Sequence, residues 1–158
     1  MIDTNIIITI LTGAEKIEQA RSAFKLLKDE ELVITSGILE ETAYVGLSAI
    51  YGCRAFKLRD ELKKGLNEDS TNFLKGLDSF IEKMKIGIIS PPIDTAMMLE
   101  MIRNYRLLPA DAVITASCKH NGITKIATFD SDFKRVDFWK SNVENKDSHS
   151  GIRVGIRI

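Results

Sequence analysis

Residues Pro109–Asp132, "PADAVITASCKHNGITKIATFDSD", decide the fold of this chain. The first part reads as a helix. Pro109 suits a first turn, where its missing N–H costs nothing, and Asp111 falls in that same turn. Gly122 marks a C-terminal stop. Lys125–Thr128, "KIAT", is a short β-like run, followed after one Phe by Asp130 and then Asp132. A helix thus leads into a strand whose far end carries acids. In open parallel sheets that end is where ligands bind.

The same alternation runs through the rest of the chain. Met1–Ile2, "LVITS" (Leu32–Ser36) and "KIGIIS" (Lys85–Ser90) are further β-like runs. Helical patterns separate them: "EKIEQARSAFKLLKD", "GILEETAYVGLSAIYG", "RAFKLRDELKKGL", "STNFLKGLDSFIEKMK" and "PIDTAMMLEMIRNY". Ser36 is placed to cap the helix after "LVITS", Ser70 or Thr71 the helix before Lys85, and Pro92 suits another first turn. Such alternation predicts a parallel sheet covered on both faces. Residues 1–158 make a single domain, with 148–158, ending "GIRVGIRI", as a late edge strand or a tail.

Composition bounds the function. Charged residues are 28% of the chain and the apolar set 44%, which suits a globular protein rather than a disordered one. The 22 basic and 22 acidic side chains cancel, so a nucleic-acid partner would require charge segregated onto different faces. Cys53 and Cys118 lack metal-ligand spacing and read as buried thiols in a reducing compartment. The apolar runs are too short to span a bilayer, and no signal peptide opens the chain, so a cytoplasmic protein is expected.

The acids carry the chemistry. Asp3 follows the first strand and precedes a helix, beside a run of Ile and Leu where an unpaired carboxylate is costly. Glu40 and Glu41 lie in the helix after "LVITS", a stretch whose apolar groups run almost all round, so at least one should face inward. Glu41 stands three residues after Ile38 and four before Val45, on an apolar stripe. Each acid also has a plain structural use. Asp111 favours the helix dipole by about 0.3–1 kcal/mol, and Asp130 with Asp132 fits an Asx-type turn. Together, though, three helices and a turn aim acids at one sheet edge. Clustered carboxylates resist ionisation unless a cation sits among them, and oxygen-only ligation selects Mg²⁺ or Mn²⁺. Asp3 therefore reads as a ligand to such an ion, which can activate water against a phosphate.

"IDTNIII", "VITSGILEETAYV" and "LLPADAVITASCKHNGITKIATFDSDFKRV", in that order, resemble the PIN-domain family, most closely its VapC-type toxins from toxin–antitoxin pairs. The resemblance implies a three-layer α/β/α fold around a parallel sheet of four to five strands. It implies divalent-metal-dependent RNA hydrolysis, a cognate antitoxin and a homodimer. Carried over by position, the four catalytic acids fall on Asp3, Glu41, Asp111 and Asp130. Metal ligation falls on Asp3, Asp111 and Asp130, with Asp132 as a further acid. The hydroxyl before the fourth acid falls on Thr128, a supporting donor beside Asn5 of the D-T-N start. Family members carry more apolar residues before the first Asp, so strand one is expected to be short. The region Lys57–Lys85 is longer than in compact members.

Other residues have plain uses beside functional ones. Arg54 and Lys57, with Arg59, Lys63 and Lys64, suit RNA phosphates or simply a solvated helix face; Arg103 and Arg106 are alternative phosphate contacts. His120 suits a helix end. Met97, Met98 and Met101, like Phe138 and Trp139, read as packing residues. Among competing functions, a phosphatase using an Asp acceptor wants a second Asp where Asn5 stands. A non-catalytic PIN-like RNA- or protein-binding module would suit a chain that had lost one of the acids, and all four are present.

Overall fold

The computed structural model describes residues 1–91, 94–139 and the backbone of 153–154. In chain order it contains α1 (Thr4–Thr12), α2 (Ile17–Leu26), β1 (Val33–Thr35), α3 (Ser36–Tyr51), α4 (Ala55–Leu62) and α5 (Glu68–Lys83). There follow β2 (Gly87–Ile89), α6 (Thr95–Tyr105), α7 (Pro109–His120), β3 (Ala127–Thr128), a 3-10 turn (Asp132–Arg135) and β4 (Arg153–Val154). The α/β class and the parallel pairing match expectation: β1 and β2 run parallel, with Val33 opposite Gly87 and Thr35 opposite Ile89. β3 and β4 pair antiparallel.

The strand count differs. In place of one sheet of four to five strands, the described residues form two two-stranded sheets. Hydrogen bonds through Met1–Asp3 join them. The Ile2 N–H donates to the Val33 carbonyl at 2.9 Å on one side. On the other, Ala127 donates to the Met1 carbonyl at 2.9 Å and Asp3 donates to the Ala127 carbonyl at 3.0 Å. This central segment is short because Asp3 is already the N-cap of α1, its extended backbone turning straight into the helix. Met1 and Ile2 pair ahead of that turn, and the segment registers as a single bridge, Ile2 to Ala127.

Burial explains why the elements collapse around that segment. Ile2, Ile6, Ile7, Ile34 and Ile38 are all sealed from solvent, together with Ala20, Ala23, Cys118 and Ala127. Each such Ile contributes about 1.5–3 kcal/mol of burial. A second cluster, with Met101, Leu107, Ala112, Ala116 and Val136, seats α6 against α7. Phe138 and Trp139 pack on both clusters, which bears out their reading as packing residues.

Several local expectations shift. Thr35, not Ser36, caps α3, its hydroxyl accepting from the Ile38 N–H, because the strand's extended backbone persists to that residue. Asn67 rather than Ser70 or Thr71 caps α5, accepting from the Ser70 N–H at 2.8 Å, so the helix starts earlier. Pro109 takes the predicted first-turn position of α7. Both α3 glutamates are exposed, against the expectation that one would face inward, and Cys53 is only half-buried. Pro92, His149 and most of 148–158 lie outside the described residues; within that tail, Arg153–Val154 does form an edge strand on β3.

Candidate active site

The D-T-N triplet is a wiring point. Asp3 ends the central segment and is almost fully buried. Its Oδ1 accepts from the Thr4 N–H at 2.7 Å. Its Oδ2 accepts from the Asn5 amide at 2.6 Å and from the Thr128 hydroxyl. A carboxylate has roughly four acceptor positions, so three are used and about one remains. The pattern demands a carboxylate, since both oxygens receive donors and an asparagine in either orientation would set an amide N–H₂ against one. Asn5 extends the wiring. Its second amide proton reaches the Thr128 oxygen at 3.1 Å, and its own carbonyl accepts the Phe129 N–H at 3.0 Å. The Thr128 oxygen also accepts the Asp130 N–H at 2.9 Å, and Asp130 Oδ1 accepts the Asp132 N–H at 2.7 Å. Thus α1 and the end of β3 are locked in one register.

Two further helices bring acids to this edge. Glu41, in the second turn of α3, accepts from the Thr4 hydroxyl at 2.7 Å. Glu40 has no such contact among the described residues. Asp111 sits in the first turn of α7 and is half-exposed. The acids sense one another. Burial, opposed by the Thr128 and Thr4 hydrogen bonds and reinforced by Glu41 and Asp130, pushes the Asp3 carboxyl up to about 6. Burial, then Asp130, Asp3, Glu41 and Asp132, pushes Asp111 up to about 6 as well. Among the described residues, no Lys or Arg pairs with Asp3, Glu41, Asp111 or Asp130. Asp132 differs, because Arg135 holds its carboxylate at 2.7 Å.

The donor set fits a hard divalent cation: oxygen ligands only, mutually repelling, with no countercharge on four of them. It does not form a ready-made cage. Among the described residues no three Asp, Glu, His or Cys side chains close into an ion-holding group. Mg²⁺ keeps several waters and takes one or two carboxylates directly, so it does not require a closed cage. Among the described residues the basic candidates form no ion pair with this group. Arg54 leads into α4 and Lys57 lies on it, Arg103 is in the last turn of α6, and Arg106 is its left-handed cap at φ 54°. None of the four pairs with the acids. Arg59, Lys63 and Lys64 are engaged by Asp60 and Glu61 on their own face. Thr4 was not singled out by sequence, although its place between Asp3 and Asn5 was the available signal.

An α/β fold whose strand ends carry acids that raise one another's pKa, with no basic partner among the described residues, is an arrangement suited to phosphate chemistry through oxygen-ligated ions. Comparison with known proteins gives the family. The PIN domain profile matches residues 1–138. Ribonuclease VapC6 of Methanocaldococcus jannaschii is 32% identical over 158 aligned residues, covering 87% of this chain and 92% of that protein. Ribonuclease VapC2 of the same organism is 32% identical over 144 residues, covering 86% and 87%. The chain belongs to the PIN-domain family.

Proposed function

We propose that this protein is a divalent-metal-dependent endoribonuclease, the toxin of a toxin–antitoxin pair, with Asp3, Glu41, Asp111 and Asp130 as its catalytic acids. The observation that carries the reading is the mutual influence of these four carboxylates, brought from three helices and a strand end, with no Lys or Arg paired to them among the described residues. The ribonuclease names of both relatives support the substrate class. Asp3, Asp111 and Asp130 would hold Mg²⁺ or Mn²⁺, with Glu41 alongside. Asp132, neutralised by Arg135, acts through its N–H bond to Asp130. When bound, such an ion supplies an acidified water and offsets charge on the phosphate.

The chain's own residues do the holding. Thr128 and Asn5 fix the Asp3 carboxylate and, through the Asp130 N–H, the start of the Asp130 turn. Thr4 fixes Glu41. A cognate antitoxin, a homodimer and a cytoplasmic setting follow from the VapC-type reading. No helix among the described residues is long and apolar enough to cross a membrane.

The test is cleavage of end-labelled single-stranded RNA by purified protein in Mg²⁺ or Mn²⁺ and in excess EDTA, wild type beside Asp111→Asn. Asp111 is the right position because its side chain makes no hydrogen bond among the described residues, so the amide is expected to leave the fold intact. Cleavage that stops in EDTA and in the variant is expected. Undiminished cleavage in EDTA, or RNA binding without cleavage in either metal, contradicts the reading.

A further inference from the structure

Lys16 stands where helix physics disfavours it. It occupies the N-cap of α2 and offers no side-chain cap, at the end of a helix whose dipole repels cations. An Asp or Ser there would gain about 1 kcal/mol. Glu18, in the first turn, is engaged by Arg21, and among the described residues no carboxylate pairs with Lys16. Its ammonium instead lies 5.1 Å from the centre of the Phe129 ring. That ring is fixed: Phe129 sits between Thr128 and Asp130, its N–H is held by Asn5, and it packs on the main core. The exposed cation is therefore anchored to the same hydrogen-bonded unit that positions the acids, one residue from Asp130.

A cation–π contact at an exposed site is worth about 0.5–1 kcal/mol, comparable to the lost cap, so stability alone does not account for a lysine at this position. Charge does. The acids repel a polyanion, and ions bound among them neutralise that ring without attracting the neighbouring phosphates of the strand. An ammonium with no carboxylate partner among the described residues, held over the ring of the residue that precedes Asp130 in sequence, meets that need. We propose that Lys16 receives an RNA phosphate next to the scissile one, with Phe129 as its platform. This rests on the ribonuclease reading above and adds a substrate contact to it.

The experiment compares wild type with Lys16→Ala and Lys16→Arg, measuring KM and kcat on a short single-stranded RNA and thermal midpoints. RNA affinity against salt is then measured in the non-cleaving Asp111→Asn protein, with and without Lys16→Ala. Expected are an increase of about tenfold in KM for Lys16→Ala with kcat unchanged, and rescue by Lys16→Arg. In the Asp111→Asn background, the slope of log affinity against log salt should fall by about 0.7, the value for one phosphate on a single strand. Unchanged KM and unchanged slope overturn the proposal. So does a loss that tracks the thermal midpoint and is not rescued by Arg, which marks a purely structural clamp. Cleavage by Asp111→Asn would instead overturn the catalytic reading, so the two failures are separable.

Discussion

Replacing Thr128 by Val tests whether the hydroxyl, rather than the bulk, of this residue organises the acids. Thr128 is buried, and its single proton and both lone pairs are committed: it donates to Asp3 Oδ2 and accepts from Asn5 and the Asp130 N–H. Valine keeps the shape and removes all three bonds. The bond to the buried Asp3 carboxylate is charge-assisted and worth about 1.5–3 kcal/mol. The two donors it abandons lie on less buried residues, where water recovers part of their loss. A total near 2–3 kcal/mol follows, or about 5–10 °C in a domain of this size. Thr128→Ser keeps every hydrogen bond and loses one buried methyl, about 1 kcal/mol. Thermal unfolding in EDTA reads the stability, and RNA cleavage in Mn²⁺ reads the site. Val should cut cleavage by about 10–100-fold, as loss of a ligand-orienting contact does, while Ser stays near wild type. If Val is as stable and as active as Ser, the hydroxyl organises nothing and the argument for a wired site fails.

Two other outcomes can be checked with little effort. Asp3 and Asp111 have carboxyls raised to about 6 from an ordinary 3.8, so each binds protons more tightly in the folded state. Their contribution to stability is complete below the ordinary value and is lost as pH rises through about 6, which predicts that the urea midpoint of metal-free protein falls between about pH 4 and pH 7. A midpoint that climbs across that window refutes the sign, and Asp111→Asn should flatten the slope. Gly46 of α3 lies against Phe73 of α5 so closely that a Cβ would stand 2.0 Å from its ring. Gly46→Ala should therefore lower the thermal midpoint: overpacking costs about 1–3 kcal/mol against a propensity gain of about 1 kcal/mol. A more stable variant would show that Phe73 swings aside freely.

Legibility followed chemistry more than geometry. The helix from Pro109, the stop at Gly122 and the strand ending at Thr128 were readable because proline, glycine and β-branched runs act locally. Thr128 and Asn5 were picked out, and both turn out to be hubs. The short first segment was legible from Asp3 standing so near it, but the sheet was overcounted because strand pairing is a property of distant partners that no local pattern announces. The cap at Thr35 was missed by one residue and that at Asn67 by three or four, since a Ser or Thr inside a first turn resembles one at its boundary. Glu41 was preferred over Glu40 partly through an inward-facing stripe, yet both are exposed; what distinguishes Glu41 is the Thr4 hydroxyl, a contact across 37 residues that no periodicity reveals. Lys16 went unnoticed because its significance lies in a ring 113 positions away in sequence.

The bond between Thr128 and Asp3 spans 125 residues, and the segment it completes is the seam between both sheets. Until the ribosome has released the chain past Thr128, the first acid has no hydroxyl to hold it and the last has not been made. On the ribosome, pairing of the first segment with the last waits on the synthesis of everything between them, so the acids come together late in folding.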